Sequence, residues 1–342
     1  MNNISTEKEF PFIPLHFPKM FSFIKNRFYF YGISTALIIF AILSPFLLGT
    51  NLGIDLTGGI QIEYRTDAGE RDSVREFARQ KAEELKKTTL IKDESVINDI
   101  VAYNISGTNR FVVEAGFTTD KKYTESEIEW AKAAFTKSLS DILGKQTNIK
   151  ATQLNYVNIG ASFGDYIKTS GMKSLFWAIV FISLYIMYAF RGSIAHMSSW
   201  PFAVVTGVSL IHDVIIAFGL YMIASYFFPE FKIDTFFLTA MLTILGYSIN
   251  DTIVVMDRIR SNLHETGKKD SLSHIIDKSI NDTMRRSILT SSTVFIVILC
   301  MFLFGPESLK GFMLALLFGT IVGTYSSVCL ASPLLIDITK RK

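Results

Sequence analysis

Six apolar runs, each long enough to form a helix through the ~30 Å of a bilayer's hydrocarbon, decide most of what this 342-residue chain can become. They extend from Phe28 to Leu48, Met172 to Phe190, Pro201 to Phe228, Thr235 to Met256, Ser287 to Phe304 and Gly311 to Ile336. With 49% hydrophobic and only 19% charged residues, the chain has too much apolar mass for a soluble enzyme of its size. A net charge of +3 with no continuous basic stripe argues against nucleic acid and leaves the lipid bilayer as the first partner. Both cysteines, Cys300 and Cys329, fall inside apolar runs, so neither a disulfide framework nor a metal site is expected, and no cofactor is implied.

Orientation follows from Lys and Arg in the short loops. Residues 1–27, 191–199, 257–286 and 337–342 together hold fifteen, against two in 229–234 and 305–310. Both termini are therefore expected in the cytoplasm. The expected layout is a cytoplasmic segment 1–27, a first span 28–49, an outer domain 50–165, a five-helix bundle 166–336 with a cytoplasmic loop 257–286, and a cytoplasmic tail 337–342. The first run reads as an uncleaved anchor, because Gly49-Thr50-Asn51 follows it where a cleavable leader needs a small-x-small site.

The outer domain has its own pattern. Ile60 to Tyr64 alternates like a half-buried strand, and Val74, Phe77, Ala78, Ala82 and Leu85 recur at helical spacing. Val96 to Ile105 and Arg110 to Phe117 read as strands flanking a turn at Ser106-Gly107-Thr108-Asn109. Thr124 with Glu127 forms a capping box for a helix ending at Gly144, and an extended stretch follows from Ile149 to Ile159. Strand, helix, strand, strand, helix, strand is the ferredoxin-like order. The fold class expected is an α-helical membrane protein with six transmembrane helices plus a small extracytoplasmic α+β domain.

A carboxylate at the bilayer centre costs roughly 2.5 to 3.5 kcal/mol on insertion scales, so intramembrane acids are functional candidates. There are two, Asp213 beside His212 in the third run and Asp251 in the fourth. Counting back by fours from Asp251 gives Tyr247, Thr243, Thr239 and Thr235; with Asn250 this makes a polar face that reads as a hydrated path. If the fifth helix begins in the amphipathic stretch from Ser271, where Leu272, Ile275, Ile276 and Ile280 line one face, Arg286 enters the membrane one turn before Thr290 and would need a carboxylate partner, for which Asp251 on the adjacent helix is the obvious candidate. Asp213 is expected to orient its neighbours, and His212 reads as a helix contact. In the last run Gly311, Ala315, Gly319, Gly323, Ser327 and Ala331 recur every four residues and mark a packing seam. The pattern does not say whether that seam faces its own bundle or another subunit.

These segments resemble the SecF family of protein translocase subunits, within the resistance, nodulation and division superfamily. The resemblance rests on Gly53-Ile54-Asp55-Leu56-Thr57-Gly58-Gly59, His212-Asp213-Val214-Ile215, and Gly246 to Asp251 running into Asp257-Arg258-Ile259-Arg260. It implies a SecD-like partner, the Sec channel complex, an unfolded preprotein as substrate, and proton entry as the energy source for export. It also implies that Asp251 is the intramembrane acid, that Arg286 is its partner, and that Asp55, Thr57, Gly58 and Gly59 form the junction of first span and outer domain. Leu56 stands where that family usually has Phe. Two other readings stay open: an intramembrane aspartyl protease using Asp213 and Asp251, and an assembly factor whose acid only pins helices together.

Overall fold

The structure is a computed structural model that describes residues 21–67, 69–105, 108–118, 122–145, 151–191, 198–228, 230–266 and 270–340. Ser106 and Gly107 of the expected turn, and Ile149, lie outside the described residues. Six helices are long and apolar enough to cross a membrane, and they arise from the six apolar runs. They are α1 (Arg27–Leu48), α5 (Ala161–Ala189), α6 (Trp200–Phe227), α7 (Thr235–Thr266), α8 (Leu272–Phe304) and α9 (Glu307–Ser326). A π-helical turn (Ser327–Ala331) and α10 (Ser332–Lys340) continue α9.

α6 and α9 are the most enclosed of the six; α6 packs against α1, α5, α7 and α9, and α9 also against α8. α1, α5 and α8 turn Phe46, Phe176, Phe181, Ile296 and Phe304 outward, as lipid-facing surfaces do. α7 and α8 are 32 and 33 residues long, close to 50 Å at ~1.5 Å per residue, so they overshoot the hydrocarbon. The charged segment expected as a loop over 257–286 is instead largely helical. Ile275, Ile276 and Ile280 of α8 pack with Val255, Met256 and Ile259 of α7, so charge along this segment did not mean irregular backbone. The second helix starts at Ser271, whose Oγ accepts from His274 N, an ordinary N-cap.

Between α1 and α5 lies a separate α+β unit. A short helix α2 (Ile54–Thr57) leads into β1 (Gly59–Arg65) and α3 (Arg71–Thr88); a small hairpin, β2 (Leu90–Ile91) and β3 (Glu94–Ser95), precedes β4 (Ile97–Ile105). β5 (Arg110–Phe117), α4 (Glu125–Lys145) and β6 (Thr152–Ile159) complete it. The sheet runs β4-β5-β1-β6, with every pair antiparallel. This is the expected ferredoxin-like arrangement. Ile60, Ile62 and Tyr64 alternate into a core with Val74, Ala78 and Ala82 of α3 and Ile128, Ala131, Phe135 and Leu139 of α4. The capping box forms in both directions: Thr124 N donates to Glu127 Oε2 at 2.7 Å and Glu127 N to Thr124 Oγ1 at 3.3 Å. Gly144 does not end the helix, which continues to Lys145.

Candidate functional site

The polar face of α7 points away from the bundle. Thr239 and Thr243 are exposed and return their hydroxyls to the carbonyls of Thr235 and Thr239, at 2.9 and 2.8 Å, as threonines do on an apolar-facing helix. Asn250 is exposed and Tyr247 half-buried on the same side, while Phe237, Ile244 and Leu245 point into the core. Asp251 sits where the polar face meets the interior, 8% exposed. Ser287 of α8 donates to its Oδ1, and Ser327 of the π turn donates to Oδ2 at 2.5 Å.

Arg286 does not form the expected ion pair with Asp251. The two are neighbours around one small cavity of about 30 Å³, lined also by Tyr247, Asn250, Val254, Thr290 and Ser291. That volume is enough room for a water molecule. The reason is helical phase: adjacent residues on a helix diverge by about 100°, so when Ser287 aims at Asp251, Arg286 turns to the exposed side. The acid is thus reached by two hydroxyls, neither of which the sequence singled out as its partner. Ser327 had the appearance of one more small residue in the seam.

Asp213 is fully enclosed at 0% exposed. Its Oδ1 lies 2.8 Å from His212 Nδ1, and its Oδ2 accepts from Ser248 of α7 and, at 2.8 Å, from Ser326 of α9. Along the same face of α6, Ser209 bonds to Ser326 at 3.2 Å, whereas the buried Thr206 hydroxyl finds no partner. No hydrogen bond joins the carboxylates of Asp213 and Asp251, so they do not form the proton-sharing pair that an aspartyl protease requires. The adjacent Ser326 and Ser327 serve one acid each, at the point where α9 passes into its π-helical turn. Such turns concentrate at functional positions because they re-aim side chains.

The small-residue seam belongs to this chain's own bundle. A Cβ added at Gly319 would run into the side chain of Ile244, and one at Gly323 would lie 3.0 Å from Ser248 Cβ, so the seam sets how closely α9 approaches α7. Ala315 is buried against the same helix, and a Cβ at Gly311 would come within 2.8 Å of the Tyr221 hydroxyl.

At the other end of α7 the α+β unit meets the bundle through the junction motif. Gly53 N donates to Ile233 O at 2.8 Å and Ile233 N to Asn51 O at 2.9 Å. Thr57 Oγ1 donates back to Gly53 O at 3.2 Å. Gly58 has φ +77°, which favours glycine, and a Cβ on Gly59 would meet the Ala115 carbonyl oxygen at 2.5 Å. Asp55 faces a groove of about 760 Å³ shared with Glu114, Tyr103, Lys232 and Asp234. Here the sequence missed a contact. Lys232, buried in the α6–α7 loop, reaches Asp99 Oδ2 at 3.1 Å and Glu114 Oε2 at 3.4 Å on the sheet. Tyr103 Oη donates to Glu114 Oε1 at 2.8 Å. Burial pushes the Asp234 carboxyl up to about 6; a hydrogen bond from Phe237 N at 2.7 Å opposes this, and Asp55 and Glu114 add to it.

The family described as Protein export membrane protein SecD/SecF, C-terminal, matches residues 139–341, and the SecD/SecF GG Motif matches residues 44–70. Protein translocase subunit SecF of Sebaldella termitidis is 32% identical over 318 residues, covering 93% of this chain and 92% of its own. The SecF of Rhodothermus marinus is 31% identical over 324 residues, 94% of each chain. Among solved structures, SecDF from Thermus thermophilus, a translocon-associated membrane protein, superposes with a TM-score of 0.70 at 26% identity, over 97% of this chain and 40% of that one. A second SecDF structure, in a super-membrane-facing form, gives 0.61 at 25% identity, over 94% and 39%. This chain therefore spans about two fifths of the length of the SecDF chains.

Proposed function

The chain belongs to the SecF family of protein translocase subunits, and from that footing we propose that its bundle couples proton entry at Asp251 to late-stage export of unfolded preprotein across the bacterial cytoplasmic membrane. The observation that carries this reading is Asp251 itself. It is a carboxylate inside an apolar bundle, gripped by Ser287 and Ser327 and separated from Arg286 by a cavity of water size. A carboxylate so placed accepts hydrogen bonds when ionised and donates one when protonated. Taking up a proton therefore turns part of the acid from acceptor to donor and weakens its hold on the serine hydroxyls. Losing it again restores the negative charge that draws Arg286 inward, which makes the acid, the two serines and the arginine a bistable set.

Asp251 lies sixteen residues beyond Thr235, about 24 Å along α7. Thr239, Thr243, Tyr247 and Asn250 mark the route from the α+β side. In the proposed orientation both termini are cytoplasmic, protons enter from outside, and the junction motif Asp55, Thr57, Gly58 and Gly59 passes helix movement to the outer domain. A polar face turned outward from a bundle is costly against lipid and calls for a covering partner. A second six-helix bundle of SecD type fits that need, and the greater length of the SecDF chains is in keeping with it. Work on the substrate is then done outside by the domain pair, with the Sec channel delivering the polypeptide.

The test is export driven by an imposed proton gradient in vesicles holding matched amounts of the complex. Asp251→Asn is expected to assemble and to lose the gradient-dependent part of export, with Asp213→Asn milder. Full gradient-driven export by Asp251→Asn would favour a purely structural acid.

A further inference from the structure

Asp213 and His212 are set deeper than Asp251 and have their own hydrogen-bond chain, which leads to a different helix. His212 is 2% exposed. Its Nδ1 lies 2.8 Å from Asp213 Oδ1, and its Nε2 lies 3.1 Å from Ser34 Oγ of α1. Ser34 Oγ lies 3.2 Å from Tyr325 Oη of α9, and Tyr325 Oη donates to the Phe30 carbonyl at 3.1 Å.

Counting protons along this chain fixes the state of the pair. A carbonyl only accepts, so the single proton of Tyr325 goes to Phe30. Ser34 must then donate to Tyr325, which uses its own single proton. Ser34 can meet His212 only as an acceptor, so Nε2 carries a hydrogen. At Nδ1 the contact with Asp213 needs one more hydrogen, held by the nitrogen or by the carboxyl. Either the histidine is an imidazolium beside a carboxylate, or a neutral histidine accepts from a protonated acid. Both descriptions contain one proton more than an ionised aspartate with a neutral histidine. Both also leave the pair with no net charge, which suits its burial in an apolar bundle.

We propose that Asp213 and His212 form a second proton-binding position in the bundle, whose occupancy is read by α1 through Ser34. The helix that senses it is the one that continues directly into the junction motif and the α+β unit. This position does not require Asp251 to carry protons. It differs from Asp251 in having a nitrogen partner and in being more completely buried.

The surroundings leave the pair's proton without a competing charge. From α7 the pair meets Ser248 and from α9 Ser326 and Tyr325, with Cys329 of the π turn near Tyr325. Asp251 of α7 is engaged by Ser287 and Ser327. On α1 and α10, Arg27 and Tyr31 are engaged by Asp337, at 3.2 and 3.0 Å. The titratable side chains of α5 are exposed. Among the described residues His212 is the sole ion-pair partner of Asp213.

Nitrogen NMR on the full chain, with ¹⁵N-labelled histidine and reconstituted in lipid vesicles, tests this; the His212 signals are assigned by their loss in His212→Gln. Near neutral pH, Nε2 is expected to be protonated, and its proton should be lost on raising the pH. A bare Nε2 throughout would overturn the proposal. Ser34→Ala removes the acceptor and should move that loss to lower pH by about one unit, the size of one hydrogen bond. Tyr325→Phe frees Ser34 to donate to Nε2 and should act in the same direction. An unchanged titration in both variants would overturn the link to α1. In Asp251→Asn the Nε2 proton should persist, and its disappearance there would refute a separate position.

Discussion

Replacing Asp234 by Asn should make the protein more stable at neutral pH and remove part of its pH dependence. Asp234 caps α7 through Phe237 N and sits enclosed beside Asp55 and Glu114, with its carboxyl pushed up to about 6 by burial. In the unfolded chain an aspartate titrates near ~4. Below that pH the group is protonated in both states and costs nothing. Between ~4 and ~6 the folded form holds a proton that the unfolded form has released, so stability falls as pH rises. Above ~6 the full cost is in place, two pKa units or about 3 kcal/mol. Asparagine fills the same space and is an equally good N-cap, so the variant keeps the cap and loses the buried charge. Thermal unfolding in detergent, followed from pH 4 to 8, is the assay. The variant should match the wild type near pH 4 and exceed it at pH 7 and above. A variant less stable than the wild type at pH 8 would show that the ionised carboxylate has a favourable partner and would refute the reasoning.

Three further outcomes are expected. Lys232→Ala removes the cation held by Asp99 and Glu114 and leaves Glu114 enclosed without it, so limited proteolysis should release the α+β unit faster while the bundle keeps its helicity; unchanged protection would show that this contact does not hold the two parts together. Gly319→Leu drives a side chain into Ile244 and should cost about 1–3 kcal/mol or more in unfolding measurements, whereas Ile321→Phe on the exposed side of α9 should be mild, and equal effects would deny the seam its role. Cysteine at Lys87 should react with an impermeant thiol reagent in intact spheroplasts and cysteine at Lys278 should not; reversed labelling would invert the proposed direction of proton entry.

The spans and the βαββαβ order were legible because they rest on periodicity, which burial enforces residue by residue. Ile60, Ile62 and Tyr64 alternate in the sequence as they do in the sheet. The length of α7 was not legible, since charged residues look alike on a loop and on the solvent side of a protruding helix, whereas the apolar stripe of Leu272, Ile275, Ile276 and Ile280 already offered Ser271 as the start of α8. The two acids were found because charge inside an apolar run is costly, but their partners were hidden. Serine costs little in a membrane helix, so Ser248, Ser287, Ser326 and Ser327 carry no signal in the sequence that separates a carboxylate ligand from a small packing residue. The direct pairing of Arg286 with Asp251 was expected because an arginine entering the membrane needs a carboxylate and Asp251 lies on the adjacent helix, but helical phase gave that place to Ser287. Lys232 and Asp99 lie 133 residues apart, and no local pattern connects them.

Proton movement itself is the most direct measure of whether Asp251 does the work assigned to it. Vesicles containing this chain with its SecD-type partner and an internal pH-sensitive dye would be given an inward proton gradient, with and without a translocating polypeptide. The wild type should acidify the lumen faster than empty vesicles, and Asp251→Asn should match empty vesicles although the complex is assembled. Arg286→Lys, which keeps the charge but loses the planar two-point fork, should fall between them. Acidification by Asp251→Asn at the wild-type rate would contradict the assignment and move the proton path elsewhere in the bundle.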